Sequence, residues 1–91
     1  MTAQIKIRRT ASVLRANLKI DVYLDLEKRG EIANGQTLSL YVAPGVYHLR
    51  LVHKMQRGES RSPSVKFRLG DNETILFEGG FKAIGMWLQQ Q

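Results

Sequence analysis

The chain has 91 residues, a hydrophobic share of 43%, no cysteine and a formal net charge of +6, with a pI near 10.1. That length holds one small domain, close to the lower limit at which a single apolar core sustains a fold, and the lack of cysteine excludes a disulfide scaffold and thiolate metal sites. No stretch is apolar enough over a helical bilayer span, and the early segment Ile5-Lys6-Ile7-Arg8-Arg9 is unlike an export signal, so a soluble cytoplasmic protein without membrane insertion is expected.

Gln4 to Arg9 reads as a short strand with Ile5 and Ile7 inward and Lys6 and Arg8 outward. Thr10 to Asn17 is compatible with a continued strand, a bulge or one helical turn, and is read as a loop. Leu18, Ile20, Val22 and Leu24 then alternate with Lys19, Asp21, Tyr23 and Asp25, which marks a second strand with an aliphatic inner face. Asp25 to Gly30 is a polar reversal, with Gly30 expected at positive φ, and Glu31-Ile32-Ala33 is a short strand before the Asn34-Gly35 turn.

The organising stretch is Asn34 to Leu51. Leu38, Leu40 and Val42 alternate with Thr37, Ser39 and Tyr41, Ala43-Pro44-Gly45-Val46 is expected to reverse the chain with Gly45 at positive φ, and Tyr47, Leu49 and Leu51 resume the pattern. This predicts a central hairpin. From His53 to Ser64 the alternation is lost and Lys54, Arg57, Glu59, Arg61 and several serines accumulate, the composition of a solvated, mobile loop. Val65, Phe67 and Leu69 make another inward face, Gly70-Asp71-Asn72 turns, and Glu73 to Glu78 is a last strand with Ile75 and Phe77 inward.

Residues 1–80 are thus expected to form an all-β, single-domain antiparallel sandwich of about seven strands, immunoglobulin-like or prealbumin-like. Residues 81–91 form a short apolar tail after Gly79-Gly80. There Phe81, Ile84 and Leu88 share a face at helical spacing, although Gly85 weakens a helix. The tail is read as closing the sandwich, with a part in a dimer contact as the alternative. Exposed, it would offer Met86 and Trp87 to a partner.

The turn residues carry a resemblance. Val22-Tyr23-Leu24-Asp25, Gly30-Glu31-Ile32, Asn34-Gly35-Gln36-Thr37 and Val42-Ala43-Pro44-Gly45-Val46-Tyr47-His48-Leu49 resemble the pattern of small bacterial β-sandwich domains of the PEGA-type and prealbumin-like kinds. The resemblance spans roughly Ile5 to Phe77. It implies an uncharacterised stand-alone or appended binding domain and transfers no catalytic residue. Two positions depart from it: Leu26 stands where the family usually has a turn glycine, which implies a wider or differently shaped reversal, and Arg29 stands where an aliphatic residue is common, which would leave a charge at the core margin unless its head reaches solvent.

Chemistry-bearing constellations are few. His48 and His53 are five apart on an extended run and point to opposite faces, with no acidic cluster to complete a metal site. Serines 39, 60, 62 and 64 have no base placed by a motif, and Gly58 and Gly79-Gly80 do not stand between a strand and a helix as a phosphate loop requires. Neither an enzyme nor a cofactor is expected.

Charge is the stronger signal. Residues 46–68 carry six Lys and Arg against Glu59 alone. His48, Arg50 and Lys54 share the outward phase of one strand, Lys66 and Arg68 that of its expected neighbour, and Arg57 and Arg61 extend the patch along the loop between them. Such a surface fits an anion, a phosphate backbone or an acidic protein face, and equally serves solubility and edge protection. Tyr23 and Tyr41 on the polar phases are either a packed cross-strand pair or stacking groups. The expected function is a non-enzymatic protein-interaction or structural module that binds a protein partner or its own copy through an edge strand, the basic loop 54–63 or the apolar residues Phe81, Ile84, Met86, Trp87 and Leu88. The alternative is nucleic-acid or polyanion binding through His48, Arg50, Lys54, Arg57, Arg61, Lys66 and Arg68.

Overall fold

A computed structural model describes residues 2–55 and 57–91. Its elements are all strands: β1 (Ala3–Arg9), β2 (Ile20–Leu24), β3 (Glu27–Ile32), β4 (Thr37–Val42), β5 (Gly45–Met55), β6 (Gly58–Arg61), β7 (Val65–Leu69), β8 (Thr74–Phe81) and β9 (Met86–Gln90). They form two sheets, one of four strands ordered β4-β1-β8-β9, the other ordered β3-β2-β5-β6 with β7 also on β5. None of the described residues forms a helix long and apolar enough to cross a membrane.

Each sheet buries one face because apolar residues recur at every second position. From the four-stranded sheet Ala3, Ile5, Ile7, Leu40, Val42, Ile75, Phe77, Met86 and Leu88 enter the core. Ile20, Val22, Leu24, Ile32, Leu49, Leu51, Phe67 and Leu69 meet them from the other sheet. The Phe67 and Phe77 rings bridge the layers at 5.0 Å. At Gly79 the sheets come so close that a Cβ would lie 2.5 Å from Leu51 Cδ1 and 2.7 Å from the Trp87 carbonyl, so only glycine fits without displacement.

The all-β, two-sheet architecture agrees with the sequence reading, but the described residues form nine strands where about seven are expected. One pair is parallel: β1 lies beside β8 with Ile5 opposite Ile75 and Ile7 opposite Phe77. Alternation reports which residues face inward and contains nothing about the direction of the neighbouring strand.

The expected central hairpin is absent. β4 bonds to β1, whereas β5 bonds to β2, β6 and β7, so the two strands lie in different sheets and Ala43-Pro44 is an arch between layers. Two strands facing one core carry the same period-two pattern as two strands bonded side by side, which is why the sequence does not separate the cases. Gly45 does not adopt positive φ; the arch is held instead by the Tyr47 hydroxyl, which donates to the Ala43 carbonyl at 2.5 Å.

The β2–β3 reversal also differs. It is a tight connection at Asp25-Leu26, with the positive φ (58°) on Asp25 rather than Gly30. Gly30 instead packs closely under Leu38, whose Cδ2 lies 2.9 Å from where a Cβ would stand. Tyr23 pairs with Lys28 and Val22 with Gly30, so Arg29 is the extra residue of a β-bulge. It is exposed, with Nε 3.6 Å from Glu27, so its head reaches solvent.

The segment from His53 to Ser64 is largely sheet, not a mobile loop: β5 runs on to Met55 and β6 returns along it, with Lys54 opposite Glu59 and Met55 opposite Gly58. Polar residues alternate here without an apolar face to reveal them, and Gly58 at φ 104° supplies the turn conformation. Gln56 of the expected basic loop lies outside the described residues. The tail is likewise a strand rather than a helical turn. β9 pairs with β8, Gly80 facing Trp87 and Phe81 facing Met86, which makes residues 86–90 part of the sandwich.

Candidate cationic face and groove

The outer face of the five-stranded sheet is built on β5, whose outward positions are Val46, His48, Arg50, Val52 and Lys54. Register places Lys66 of β7 opposite His48 and Arg68 opposite Val46. On β6, Arg61 faces Val52 and Glu59 faces Lys54. On the other side Tyr23 of β2 lies opposite Arg50 and Asp21 opposite Val52, with Lys28 and Glu31 beyond them on β3.

One break in the ladder shapes the centre. Between the pairs Val52–Arg61 and Leu49–Val65, the three residues Ser62-Pro63-Ser64 oppose only Leu51 and Arg50. Proline has no N–H for the ladder, and buried Ser62 repairs it: its N–H donates to the Leu51 carbonyl at 2.9 Å and its Oγ accepts the Leu51 N–H at 2.8 Å. Arg50 therefore faces an interruption instead of a paired neighbour. Its guanidinium lies 5.4 Å from the Tyr23 ring centroid, a cation–π contact that orients it, while its buried Nε has no hydrogen-bond partner among the described residues.

Across β5 from this break stands the Asp25-Leu26 turn. The Asp25 N–H donates to the His48 carbonyl at 2.6 Å, and Asp25 Oδ1 accepts the His48 N–H at 2.9 Å and lies 3.7 Å from His48 Nδ1. Between the turn and Ser64 runs an open groove of about 420 Å³ lined by Asp25, Leu26, His48, Arg50 and Ser64.

The acids of this face are mostly engaged. Lys28 Nζ lies 3.3 Å from Asp21 and 2.9 Å from Glu31. That hydrogen bond holds the Glu31 carboxyl below its usual range and, reciprocally, raises the Lys28 ammonium, with Asp21 adding to the latter. Glu59 accepts from Arg61 Nε at 2.5 Å. Among the described residues no carboxylate lies within 4.0 Å of Arg50, Lys54, Lys66 or Arg68.

The seven residues expected to bind an anion or partner are thus only partly united. His48, Arg50, Lys66 and Arg68 share one surface; Lys54 and Arg61 lie on the same face towards its β6 end, where Glu59 neutralises Arg61; Arg57 sits exposed at the β5–β6 turn. The apolar candidates separate. Met86 and Leu88 are buried in the core, Trp87 lies over Gly80 on the outer face of the other sheet, Phe81 is half-buried, and Ile84 alone projects, 87% exposed at the β8–β9 turn. His53 points inward, edge-on to Phe81 at 5.4 Å, with Nδ1 3.1 Å from the Lys19 carbonyl. Among the described residues no group of three His, Asp or Glu side chains converges as metal ligands.

Arg9 has no counterpart in the expected site. It continues the inward phase of Ile5 and Ile7, is 1% exposed, and donates to the carbonyls of Leu18, Ile32 (3.3 Å) and Arg15 (2.9 Å). Its guanidinium also lies 5.2 Å from the Phe81 ring centroid, and burial lowers its pKa from the ordinary arginine value. The phase of β1 was the signal that could have found it.

A scan against protein-family models, a search of curated proteins and a search of solved structures each returned no match.

Proposed function

We propose that the protein is a non-enzymatic binding module that docks an anionic segment of a partner protein on the outer face of its five-stranded sheet. One observation carries this reading. His48 lies opposite Lys66 and Val46 opposite Arg68 across β5 and β7, Arg50 follows in the same outward phase of β5, and among the described residues no carboxylate lies within 4.0 Å of Arg50, Lys66 or Arg68. Unpaired cations held on rigid strands attract an anion at little ordering cost.

The aromatic groups favour a protein over a single-stranded nucleic acid. Stacking binders combine exposed rings with a cationic track, but Arg50 covers one face of Tyr23 and exposed Tyr41 stands on β4, in the opposite sheet. The resemblance to appended binding domains points the same way.

The test is affinity capture from host extract with the wild-type chain and a Lys66→Glu/Arg68→Glu variant, at low and high salt, with and without nuclease. The expected result is a partner that salt releases, the variant fails to capture, and nuclease leaves in place. Identical captured sets for the two chains would contradict the reading. Loss of the partner on nuclease treatment would replace it with nucleic-acid binding.

A further inference from the structure

Resting on that docking reading, we infer that the groove across β5 is its specificity pocket and that it takes one carboxylate side chain of the partner together with an adjoining aliphatic residue. Three features argue for it. Arg50 is held against Tyr23, so its guanidinium is oriented before any ligand arrives, and that planar donor group matches the two oxygens of a carboxylate. The opposite wall is Leu26, 88% exposed at the tip of a turn, an aliphatic surface that gains by being covered. The volume of about 420 Å³ is in the range that accommodates a ligand larger than an inorganic ion.

Asp25 narrows the class further. Its carboxylate lies in the same groove, 3.7 Å from His48 Nδ1, and its charge opposes a second anion in proportion to that anion's charge. A monoanionic carboxylate is therefore favoured over a phosphate dianion. Ser64 adds a hydroxyl at the rim, and Lys66 and Arg68 lie outside the groove, where they meet neighbouring acids of the same segment.

The experiment is an amide NMR titration of the intact protein with N-acetyl-glutamyl-leucine amide, using the glutaminyl-leucine and glutamyl-glycine amides and phenyl phosphate as comparison probes. The expected result is shifts confined to Asp25, Leu26, His48, Arg50 and Ser64, with affinity falling about tenfold for the glutaminyl probe and for Arg50→Lys, which keeps the charge and loses the planar donor. Leu26→Ser, at an exposed turn, should weaken the glutamyl-leucine probe to the level of the glutamyl-glycine one without altering the fold. No shifts in the groove, or equal binding by the glutaminyl probe, would overturn the pocket; equal binding by phenyl phosphate would overturn the carboxylate; an unchanged affinity in Leu26→Ser would overturn the aliphatic wall. Partner capture lost in Lys66→Glu/Arg68→Glu but kept in Arg50→Lys would refute the pocket while leaving the docking face intact.

Discussion

Arg9 ties the Thr10–Lys19 segment to the sandwich through the backbone carbonyls of Arg15, Leu18 and Ile32 and its contact with Phe81, and among the described residues no carboxylate pairs with it. A methionine there would fill similar space but leave those carbonyls without their donor, so Arg9→Met should lower stability by about 3 kcal/mol, measured by urea unfolding. The glycines make a second comparison. At Gly79 an added methyl meets a backbone carbonyl and a packed leucine, while at Gly30 it meets only the end of Leu38. Gly79→Ala should therefore destabilise by roughly 2–3 kcal/mol and Gly30→Ala by under about 1 kcal/mol. The Lys28–Glu31 contact is exposed, and its sign with pH is determined: a carboxyl held below its unfolded value contributes above that value and loses its contribution as pH falls through the folded one. The melting-temperature difference between wild type and Lys28→Met should shrink on acidification below about pH 4.

At the scale of elements, the strands themselves were legible because β1, β2, β4, β7 and β8 each bury every second residue. Their pairing was not. The leucines of β4 and β5 satisfy one core from two sheets, and only the hydrogen-bonded neighbours of each strand distinguish an arch from a hairpin. β6 escaped because GESR has no apolar phase, and β9 because Phe81, Ile84 and Leu88 imitate a helical spacing although Met86 and Leu88 are the inward pair. β9 covers the edge of β8 and adds two core side chains. Removing residues 86–91 should abolish cooperative thermal unfolding, whereas Ile84→Ser, at an exposed turn, should leave the midpoint within a few degrees.

For the molecule as a whole, the two outer faces differ in kind. One carries Gln4, Thr37, Ser39, Tyr41, Thr74 and Gln89 with Lys6 and an Arg8–Glu78 pair at 2.5 Å; the other carries the unpaired cations of β5 and β7. The cationic phase of those strands was readable from the sequence, but the groove was not, since it arises where a proline break on one side of β5 and a tight aspartate turn on the other bring distant residues across Arg50. The docking account predicts that anionic ligands distinguish the faces. The most direct measurement is an amide NMR map of the protein titrated with a synthetic peptide alternating glutamate and leucine, at low and at physiological salt. Shifts centred on His48, Arg50, Lys66 and Arg68 that weaken with salt are the predicted result; shifts spread evenly over both faces, or centred on β1 and β4, would contradict the account.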